Sequence, residues 1–497
     1  MVYLLNNKFI SIVLSSFLTG LSQHFQLLGF LSWFSLVPLL LVFIQCKTYK
    51  QIIKYSFIWG FVYSLVSVYW IALNVGTNFT VGCISMLLTV LILSSNTILV
   101  GVIWFKIKKQ FNFKSIYTVP FVWVTIEYIR SYGVLGFPWI SLANTQTKYL
   151  YLIQNSEFVG IYGISFWIVF LNCLLVISFY QRTIKIFYIL CFVFIFPFLS
   201  GFLIFKNINI YNDTTLKVSL IQPNFSLNDK SNSSLANQNL DNLIEKSTLC
   251  INRGSDLIIW PESALPFYKL QNKNTLKYIS ERLFDEQNIF LLTGDVTYFN
   301  NKIYNSSVLV NKEGIQQFYH KKQLVPMGEY VPLSNKINFL NKINFGQTNF
   351  SSGIENIIFN VNNHNFSSLI CFESTFPDIN REHALKGADF FIYLVNDGWY
   401  TTIPEPRQHA KQSIFRAIEN RKSVLRCANT GISMVVSPLG EVLQQTKLNT
   451  EDIITTFISK SDTITFYTKY GNVFAYLILM VTIFLLSYSI YKNEDNN

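Results

Sequence analysis

Charged residues are scarce in this chain. Asp, Glu, Lys and Arg together account for 13% of the 497 residues, which is about half of the share that a soluble globular domain usually carries. Hydrophobic residues account for 51%, and the long uncharged runs lie in roughly the first 205 residues and close to the C-terminus. This distribution excludes a chain built only of soluble domains, and it predicts an integral membrane protein that carries one soluble domain.

Eight runs are apolar over the length of a membrane-spanning helix, which needs about 20 mostly apolar residues. The predicted spans are 9–25, 27–45, 55–73, 80–105, 116–134, 159–180, 185–205 and 471–491. No small-residue cleavage site follows the first run, so no cleaved signal peptide is predicted. The sequence therefore predicts a transmembrane domain of seven helices over 1–205, an exported domain over 206–465, and an eighth transmembrane helix with a short cytoplasmic tail over 466–497.

Lysine and arginine are almost absent from every second predicted loop. The loops after the second, fourth and sixth spans carry Lys47, Lys50, Lys54, Lys106, Lys108, Lys109, Lys114, Arg182 and Lys185. Because basic loops stay in the cytoplasm, both termini are predicted to be cytoplasmic. The exported domain then lies in the periplasm if the cell is Gram-negative. This topology accounts for most of the net charge of +11 and disfavours nucleic-acid binding.

Cysteine and histidine are too scattered to form a cofactor motif. The seven cysteines include no CxxC pair, and the sequence has no metal-ligand constellation and no phosphate-binding glycine loop. No metal and no cofactor are therefore predicted. Cys250, Cys371 and Cys427 fall in the exported domain, where a disulfide between two of them stays open. Their odd number leaves at least one thiol free for chemistry.

Short β-rich runs alternate with helical stretches in the exported segment. The predicted strands are 217–225, 255–263, 288–296, 306–310, 366–374, 388–399 and 423–438, and the predicted helices are 235–251, 273–286 and 405–421. The Asn/Ser-rich stretch 226–239 is interpreted as a flexible surface loop. Strands that alternate with helices predict an α/β layered domain in which helices pack on the sheets.

Chemically reactive residue types cluster at the ends of these strands. Glu262 follows the apolar run LIIW, Lys321 and Glu329 lie around a proline-broken segment, and Cys371 ends the run SSLIC. Taken singly, the carboxylates and the lysine fit helix capping or a solvated ion pair, and the cysteine fits a buried apolar position. Taken together, they are the parts of a covalent mechanism.

A thiol, a carboxylate and a lysine supply what covalent acyl chemistry needs. A thiol attacks only as its thiolate, so Cys371 requires a base, and a carboxylate with a raised pKa can serve as one. Attack on a carbonyl carbon places negative charge on its oxygen, which a lysine ammonium and the backbone N–H of Phe372 stabilise. The histidines of this segment lack the spacing of a Cys–His pair.

The motifs WPES, YHKKQLVPMGEYVP and ICFES resemble the Glu–Lys–Cys triad of the nitrilase, or carbon–nitrogen hydrolase, superfamily. NDGWY and RAIENRKSVLRCANTGISMVVSPLG continue the match in the expected order. The resemblance implies an αββα sandwich with Glu262 as general base, Lys321 as oxyanion stabiliser and Cys371 as nucleophile. Glu329, as a second carboxylate, and Glu373 are assigned supporting roles.

The membrane portion resembles a narrower family. EYIRSYGVLGFPW (127–139) and GIYGISF (160–166) are similar to the apolipoprotein N-acyltransferases of the bacterial inner membrane. This resemblance implies that a fatty acyl chain passes from a phospholipid, through a thioester on Cys371, to the α-amino group of the N-terminal S-diacylglyceryl-cysteine of a lipoprotein. The expected partners are the phospholipid donor, the modified apolipoprotein and the bilayer. Glu127 and Arg130 also fit a plain ion pair at a helix end.

Two segments are candidates for substrate binding. The first supplies Asn396, Trp399 and Tyr400 from the NDGWY motif. Its aromatic residues either line the substrate entrance or anchor the domain at the membrane interface. The second is 331–345, where Phe339 and Leu340 suggest a mobile lid that dips into the lipid headgroups, although they would equally cover the domain core.

Two departures from the nitrilase pattern and three other functions stay open. The sequence has Pro223 where the pattern has a glycine, and Phe372 where it has a tyrosine. Either change can shift substrate preference. The alternatives are an amidase or nitrilase that passes the acyl group to water, a transporter or scaffold whose exported domain only binds, and an inactive relative. Eight spans disfavour a soluble substrate, and few ionisable residues inside them disfavour a transport pathway.

Overall fold

A computed structural model describes residues 7–208, 215–265, 270–284, 288–332, 349–400 and 403–494. Within them the chain forms fifteen α-helices, namely α1 Lys8–His24, α2 Val37–Gln45, α3 Tyr49–Val68, α4 Phe79–Phe111, α5 Val119–Arg130, α6 Leu150–Ile153, α7 Ser156–Gln181, α8 Ile184–Asn207, α9 Leu227–Ser231, α10 Ala236–Asn252, α11 Lys273–Leu283, α12 Pro377–Leu385, α13 Pro404–Asn420, α14 Phe466–Tyr470 and α15 Val473–Glu494. The same residues contain twelve strands, namely β1 Thr215–Gln222, β2 Leu257–Ile259, β3 Phe290–Phe299, β4 Lys302–Asn311, β5 Gly314–His320, β6 Phe359–Val361, β7 His364–Ile370, β8 Phe390–Val395, β9 Ser423–Ala428, β10 Met434–Val436, β11 Val442–Gln445 and β12 Asp452–Ser459.

The chain divides into two compact units. The first unit is helical and comprises Met1–Leu73, Phe79–Ile208 and Tyr470–Asn497. The second unit is the α/β part and comprises Asn209–Lys469 together with the short segment Asn74–Asn78. That segment joins the second unit because its backbone pairs with the NDGWY motif, as described below.

Among its described residues, the first unit has six segments that are long and apolar enough to cross a membrane. They are Gln26–Gln45, Tyr49–Leu73, Phe79–Arg130, Ser156–Gln181, Ile184–Asn207 and Val473–Lys492. The sequence predicts eight spans, and this count is not established by the described residues. The predicted spans 80–105 and 116–134 lie on one segment, because Asn112–Thr118 between α4 and α5 is a 3-10 helix and not a loop. The first predicted span corresponds to α1, which has only 17 residues.

The acidic and basic residues of the EYIR motif have separate partners in the first unit. The Glu127 carboxylate accepts hydrogen bonds from the Leu142 N–H at 3.0 Å and the Trp123 ring N–H at 3.3 Å. The Arg130 guanidinium donates to the Ser141 hydroxyl at 3.4 Å. No ion pair within 4.0 Å joins Glu127 to Arg130 among the described residues, so the helix-end ion pair is not formed.

Two six-stranded sheets form the centre of the second unit. Their strand orders are β12-β1-β2-β3-β4-β5 and β11-β10-β9-β8-β7-β6. In the first sheet β2 pairs in parallel with β1 and β3, and in the second sheet β8 pairs in parallel with β7 and β9. Because ligands of such sheets bind at the carboxyl ends of parallel strands, the residues after β2 and β7 are placed where function is expected.

Helices cover the outer faces of both sheets. Leu243 of α10 and Ile279 of α11 share a buried core with Ile258 of the first sheet, and α13 packs on β9 and β10 of the second. Between the sheets, the Cys427 thiol donates to the Ile221 carbonyl at 3.4 Å. The layers therefore follow the αββα order. All seven cysteines lie in the described residues and are unpaired, so the disulfide that the sequence left open is not formed.

The predicted strand 366–374 is too long. Strand β7 ends at Ile370, and Cys371–Thr375 forms a 3-10 helix. The physical reason is Glu373, whose carboxylate accepts the Ile370 N–H at 2.8 Å and so replaces the next sheet hydrogen bond. The predicted strand 388–399 likewise ends early, at Val395.

The predicted surface loop 226–239 is largely helical. It forms α9, one turn of 3-10 helix and the start of α10, because Ser226 and Asp229 make a reciprocal capping box at the beginning of α9. Most of the predicted lid 331–345, including Phe339 and Leu340, lies outside the described residues.

Candidate active site

Three chain segments bring their polar residues to one place in the second unit. Glu262 follows β2, Lys321 follows β5 directly, and Cys371 follows β7 directly. The Lys321 ammonium lies 2.8 Å from the Glu329 carboxylate and 3.6 Å from the Glu262 carboxylate. The charges of Glu262, Lys321 and Glu329 all act on the Cys371 thiol. The structure thus groups the four residues that the sequence singled out.

An asparagine that the sequence reasoning missed bridges the two carboxylates. The Asn305 amide nitrogen donates to Glu262 Oε1 at 2.8 Å and to Glu329 Oε1 at 2.9 Å. Glu329 Oε2 accepts the Val325 N–H at 2.7 Å. Asn305 lies on β4, which pairs with β5, and Lys321 directly follows β5. In the sequence, Asn305 stands in the polar run YNSS, which gives no sign of a functional role.

Burial determines the ionisation of this group. Lys321 is 1% exposed and Glu262 is 6% exposed. Burial raises the pKa of Glu262, and the Lys321 charge opposes that change only in part. Burial alone would lower the pKa of Lys321, but Glu329 and Glu262 together raise it. Burial, reinforced by Glu262, also raises the pKa of the Cys371 thiol well above its usual range. The resting thiol is therefore protonated, and its activation requires a base.

The backbone of Cys371 is strained. Its φ is +51°, a left-handed conformation that costs a non-glycine residue about 1–3 kcal/mol. The strain arises because an extended strand turns directly into a 3-10 helix at this residue. Such a sharp turn exposes a nucleophile above the sheet, as in other strand-to-helix elbows. The backbone N–H of Phe372 follows immediately.

Glu373 connects the two segments that carry the thiol and the lysine. Its carboxylate accepts hydrogen bonds from the backbone N–H groups of Ile370, Lys322 and Gln323 at 2.8, 2.7 and 3.1 Å, and from the Tyr319 hydroxyl at 2.7 Å. Burial raises the pKa of Glu373, and the Ile370 N–H opposes this. The side chain is fully used in these bonds, so its support of the site is a structural one.

A second buried polar group lies behind Cys371. The His409 ring donates from Nδ1 to Asp397 Oδ1 at 2.9 Å, and Arg426 donates to Asp397 Oδ2 at 2.6 Å. The other ring nitrogen, Nε2, lies 3.2 Å from the Cys371 carbonyl and 3.1 Å from the Ser374 hydroxyl. The sequence reasoning missed this group, although Asp397 and Arg426 are charged residues beside apolar strands, which is a usable signal.

The same group contains potential metal ligands. Ligand atoms of Asp397, Glu405 and His409 all lie within 4.8 Å of one another. However, His409 Nδ1 and Asp397 Oδ1, two of the atoms that would face an ion, are hydrogen-bonded to each other, and the second oxygen of Asp397 is bound to the positive Arg426. Burial, with the charge of Asp397, raises the pKa of Glu405 well above its usual range. These features fit an internal ion network better than a metal site.

Lys230 of α9 also reaches this region. Its ammonium donates to the Glu262 carbonyl at 3.2 Å, and its side chain is buried. Burial lowers its pKa to about 8. The sequence placed this lysine in a surface loop, because the pattern gave no sign that α9 folds over the strand end that carries Glu262.

The residues of the NDGWY motif occupy different environments. Asn396 is buried and accepts from the Asn429 amide at 3.1 Å. Trp399 is 44% exposed, and its carbonyl accepts the Val75 N–H at 2.9 Å. The Asn74 amide lies 3.5 Å from the Tyr400 hydroxyl. Trp399 is thus partly exposed, whereas Asn396 supports the loop.

Two family models match successive parts of the chain. Residues 15–174 match the N-terminal domain of apolipoprotein N-acyltransferase. Residues 217–467 match the carbon–nitrogen hydrolase model. The two matches fall on the helical and the α/β parts described above.

Similar proteins extend over almost the whole chain. The apolipoprotein N-acyltransferase of Geobacter metallireducens is 30% identical over 93% of this chain and 92% of its own, and that of Chlorobaculum tepidum is 28% identical over 96% and 95%. Saccharomyces cerevisiae Nit3, a nitrilase-superfamily member of known structure, is 21% identical and covers 51% of this chain and 92% of its own, with a TM-score of 0.38. This chain belongs to the apolipoprotein N-acyltransferase family, and its second unit is a carbon–nitrogen hydrolase domain.

Proposed function

We propose that this protein is a bacterial membrane N-acyltransferase that moves a fatty acyl chain from a phospholipid to the α-amino group of the N-terminal S-diacylglyceryl-cysteine of lipoproteins. The observation that carries the proposal is the buried group in which the Lys321 ammonium lies between Glu262 and Glu329, beside the strained Cys371. This group has a base, a counter-charge and a nucleophile, which are the parts that two-step acyl transfer requires.

In the first half-reaction Glu262 accepts the thiol proton while Cys371 Sγ bonds to the carbonyl carbon of the phospholipid ester. The resulting oxyanion is stabilised by the Lys321 ammonium and the Phe372 N–H. Collapse of the tetrahedral intermediate breaks the ester C–O bond, and Glu262 returns its proton to the leaving oxygen. Lysophospholipid departs, and an acyl thioester stays on Cys371.

In the second half-reaction the free α-amino group of the lipoprotein attacks the thioester carbon. A new C–N bond forms, Glu262 accepts a proton from the amine, and the same two donors hold the oxyanion. The C–S bond then breaks, and the thiolate of Cys371 recovers its proton. The sequence is ping-pong because the first product leaves before the second substrate reacts.

The supporting residues keep Lys321 charged and fixed. A buried ammonium needs a nearby carboxylate, because an unpaired buried charge costs several kcal/mol. Glu329 is the closer partner at 2.8 Å, so Glu262 keeps a weaker contact at 3.6 Å and stays available to take a proton. Asn305 holds both carboxylates in this arrangement.

The lipid substrates explain why the catalytic domain is attached to apolar helices. Pulling an acyl chain out of a bilayer costs about 0.8 kcal/mol per CH₂, so the chemistry has to take place at the membrane surface.

We include in the proposal the topology with eight spans, cytoplasmic termini and a periplasmic domain over 206–465. We also include substrate contacts from Trp399 and Tyr400, with Asn396 supporting their loop, and from Phe339 and Leu340.

An amidase with the same triad is the second candidate function, and the helical first unit disfavours it. A hydrolase of soluble amides has no use for six long apolar helices, and the N-terminal family match is to apolipoprotein N-acyltransferase. An amidase would also pass its acyl group to water and not to an amine. The two functions therefore differ in the fate of the thioester.

Mass spectrometry of the intact protein after incubation with phospholipid alone tests the proposal. We expect a mass increase of one fatty acyl group that hydroxylamine removes and that Cys371→Ala abolishes. Cys427→Ala is the matched control, since this cysteine is buried and its thiol donates to the Ile221 carbonyl, and this variant should still be acylated. An unmodified wild-type protein would refute the covalent route.

A further inference from the structure

A continuous polar connection joins Arg426 to the backbone of the nucleophile. Arg426 binds one oxygen of Asp397, and His409 Nδ1 binds the other. His409 Nε2 then meets the Ser374 hydroxyl and the Cys371 carbonyl, and Ser374 itself donates to that carbonyl at 2.8 Å. Every one of these side chains is almost fully buried, apart from that of Cys371.

The end of this connection lies where the chain is strained. With φ at +51°, Cys371 relaxes unless its neighbours fix the peptide groups on both sides. On the N-terminal side, Glu373 holds the Ile370 N–H at 2.8 Å. On the C-terminal side, the Cys371 carbonyl is held by Ser374 and lies next to His409.

We propose that His409, oriented by Asp397, is a positioning residue for the nucleophile. Its Nδ1–H donates to Asp397, so Nε2 is an acceptor for the Ser374 hydroxyl, which also reaches the Cys371 carbonyl. Through Ser374, His409 fixes that carbonyl, and thereby the direction of the thiol and of the Phe372 N–H. The inference rests on the proposed function and extends it to a residue outside the Glu–Lys–Cys group. His409 Nε2 lies 3.2 Å from the Cys371 carbonyl and 3.1 Å from the Ser374 hydroxyl, so its contribution is geometric.

Helix α13 also carries a buried polar side chain that lacks such partners. Ser413 lies one turn after His409 on the same helix, is fully buried, and has no hydrogen-bond partner for its hydroxyl. His409, in contrast, has partners for both ring nitrogens, one of them a carboxylate that is itself paired with an arginine. Burying the ions Asp397 and Arg426 costs several kcal/mol, which a purely apolar contact would avoid.

Two conservative variants separate the two sides of the ring. In His409→Asn the amide nitrogen replaces Nδ1, so the bond to Asp397 is kept and the contacts with Ser374 and Cys371 are lost. In His409→Gln the longer amide replaces Nε2, so the contacts with Ser374 and Cys371 are kept. Ser413→Ala on the same helix is the control for altered packing.

The readouts are the rate at which phospholipid acylates Cys371 and the rate at which iodoacetamide alkylates it, each followed by peptide mass mapping. We expect His409→Asn to slow acylation by about 10²-fold, as for a reacting group misplaced by about 1 Å. The acylation rate of His409→Gln should fall by about tenfold or less, and Ser413→Ala should react like the wild type. Melting temperatures in detergent are measured for all three variants.

Equal acylation rates in His409→Asn and His409→Gln would overturn the proposal. It would also be overturned by rates that follow the melting temperature across the three variants, since this is the result of a purely structural role. If the wild type itself is not acylated, the proposed function fails, and alkylation decides the positioning role alone. Slower alkylation in His409→Asn than in His409→Gln then supports it, and equal alkylation overturns it.

Discussion

Lys321 carries its charge between two carboxylates in a part of the protein that excludes water. Glu329 lies 2.8 Å and Glu262 3.6 Å from its ammonium. The ammonium stabilises both carboxylates, which repel each other, and its removal leaves both without a counter-charge. At the scale of single residues, catalysis and stability therefore depend on the same contacts.

We expect Lys321→Met to lower the free energy of unfolding by about 3–5 kcal/mol, because Glu262 and Glu329 then lie buried without a counter-charge. The double variant Lys321→Met with Glu329→Gln should recover part of this loss without recovering acylation. Thermal denaturation in detergent measures the stability of both variants, and the exposed Lys312→Met is the control. A loss no larger than that of the control would contradict this account of the charged group.

Glu262→Gln tests the base assignment with almost no change in shape. The amide cannot accept the thiol proton, so formation of the acyl-enzyme should slow by about 10²–10⁴-fold, the usual contribution of a general base. The exposed Glu281→Gln is the matched control. Acylation at the wild-type rate in Glu262→Gln would assign the base elsewhere.

Lys230 gives a pH dependence of stability with a definite sign. Burial lowers its pKa to about 8 in the folded protein from an ordinary value of 10.5. Between these values the unfolded chain binds more protons, so the contribution of Lys230 to stability rises with pH in this window. At neutral pH its buried charge destabilises the fold by on the order of 3 kcal/mol.

The difference in melting temperature between Lys230→Met and the wild type should therefore fall as the pH rises from about 8 to 10. Parallel thermal denaturation of the two proteins over this range measures it. Lys217→Met is the control, because this lysine lies nearer the surface, on β1. A difference that stays constant with pH would show that folding does not lower the pKa of Lys230.

At the scale of elements, the sequence predicted the regular parts better than the ends. The predicted strands and the three predicted helices of the exported segment lie close to observed elements, since their periodicity depends on burial along the whole element. Helices α9 and α12 and strands β5, β6, β11 and β12 had no predicted counterpart. The end of β7 was missed because it depends on Glu373, whose bonds to Lys322 and Gln323 come from a segment some 50 residues away. Contacts of this kind leave no local pattern.

The turn after β7 predicts an unusual ranking of two inactive variants. Because Cys371 has a φ of +51°, glycine accepts the conformation without strain and alanine does not. We expect Cys371→Gly to be more stable than Cys371→Ala by about 1 kcal/mol, although glycine usually destabilises. Thermal denaturation of the two proteins compares them. The opposite ranking would mean that the left-handed turn is not maintained.

At the scale of the whole molecule, composition was enough to separate a helical membrane unit from an α/β unit. Glu262, Lys321 and Glu329, together with Cys371, were predicted from their places at strand ends and from the order of the motifs. The number of spans was not fixed by the sequence, because apolar content does not distinguish a loop from the 3-10 helix Asn112–Thr118. The histidines were set aside because their spacing did not suggest a Cys–His pair, and only the fold brings His409 to the Cys371 carbonyl, 38 residues away.

The proposed topology places Lys50 in the cytoplasm and Lys312 in the periplasm. Both lysines are exposed. In intact cells with a permeabilised outer membrane, a membrane-impermeant maleimide should label Lys312→Cys and leave Lys50→Cys unlabelled until the inner membrane is broken. The wild type gives the background from the native cysteines. Labelling of Lys50→Cys alone would reverse the orientation.

The most direct test follows one acyl group through a single turnover. The protein is loaded with a labelled acyl chain from phospholipid, freed of lipid, and mixed with a peptide that begins with S-diacylglyceryl-cysteine, while mass spectrometry follows both. The account predicts that the label leaves Cys371 and arrives on the peptide α-amino group in equal amount. Release of the label as free fatty acid at the same rate with and without the peptide would contradict it.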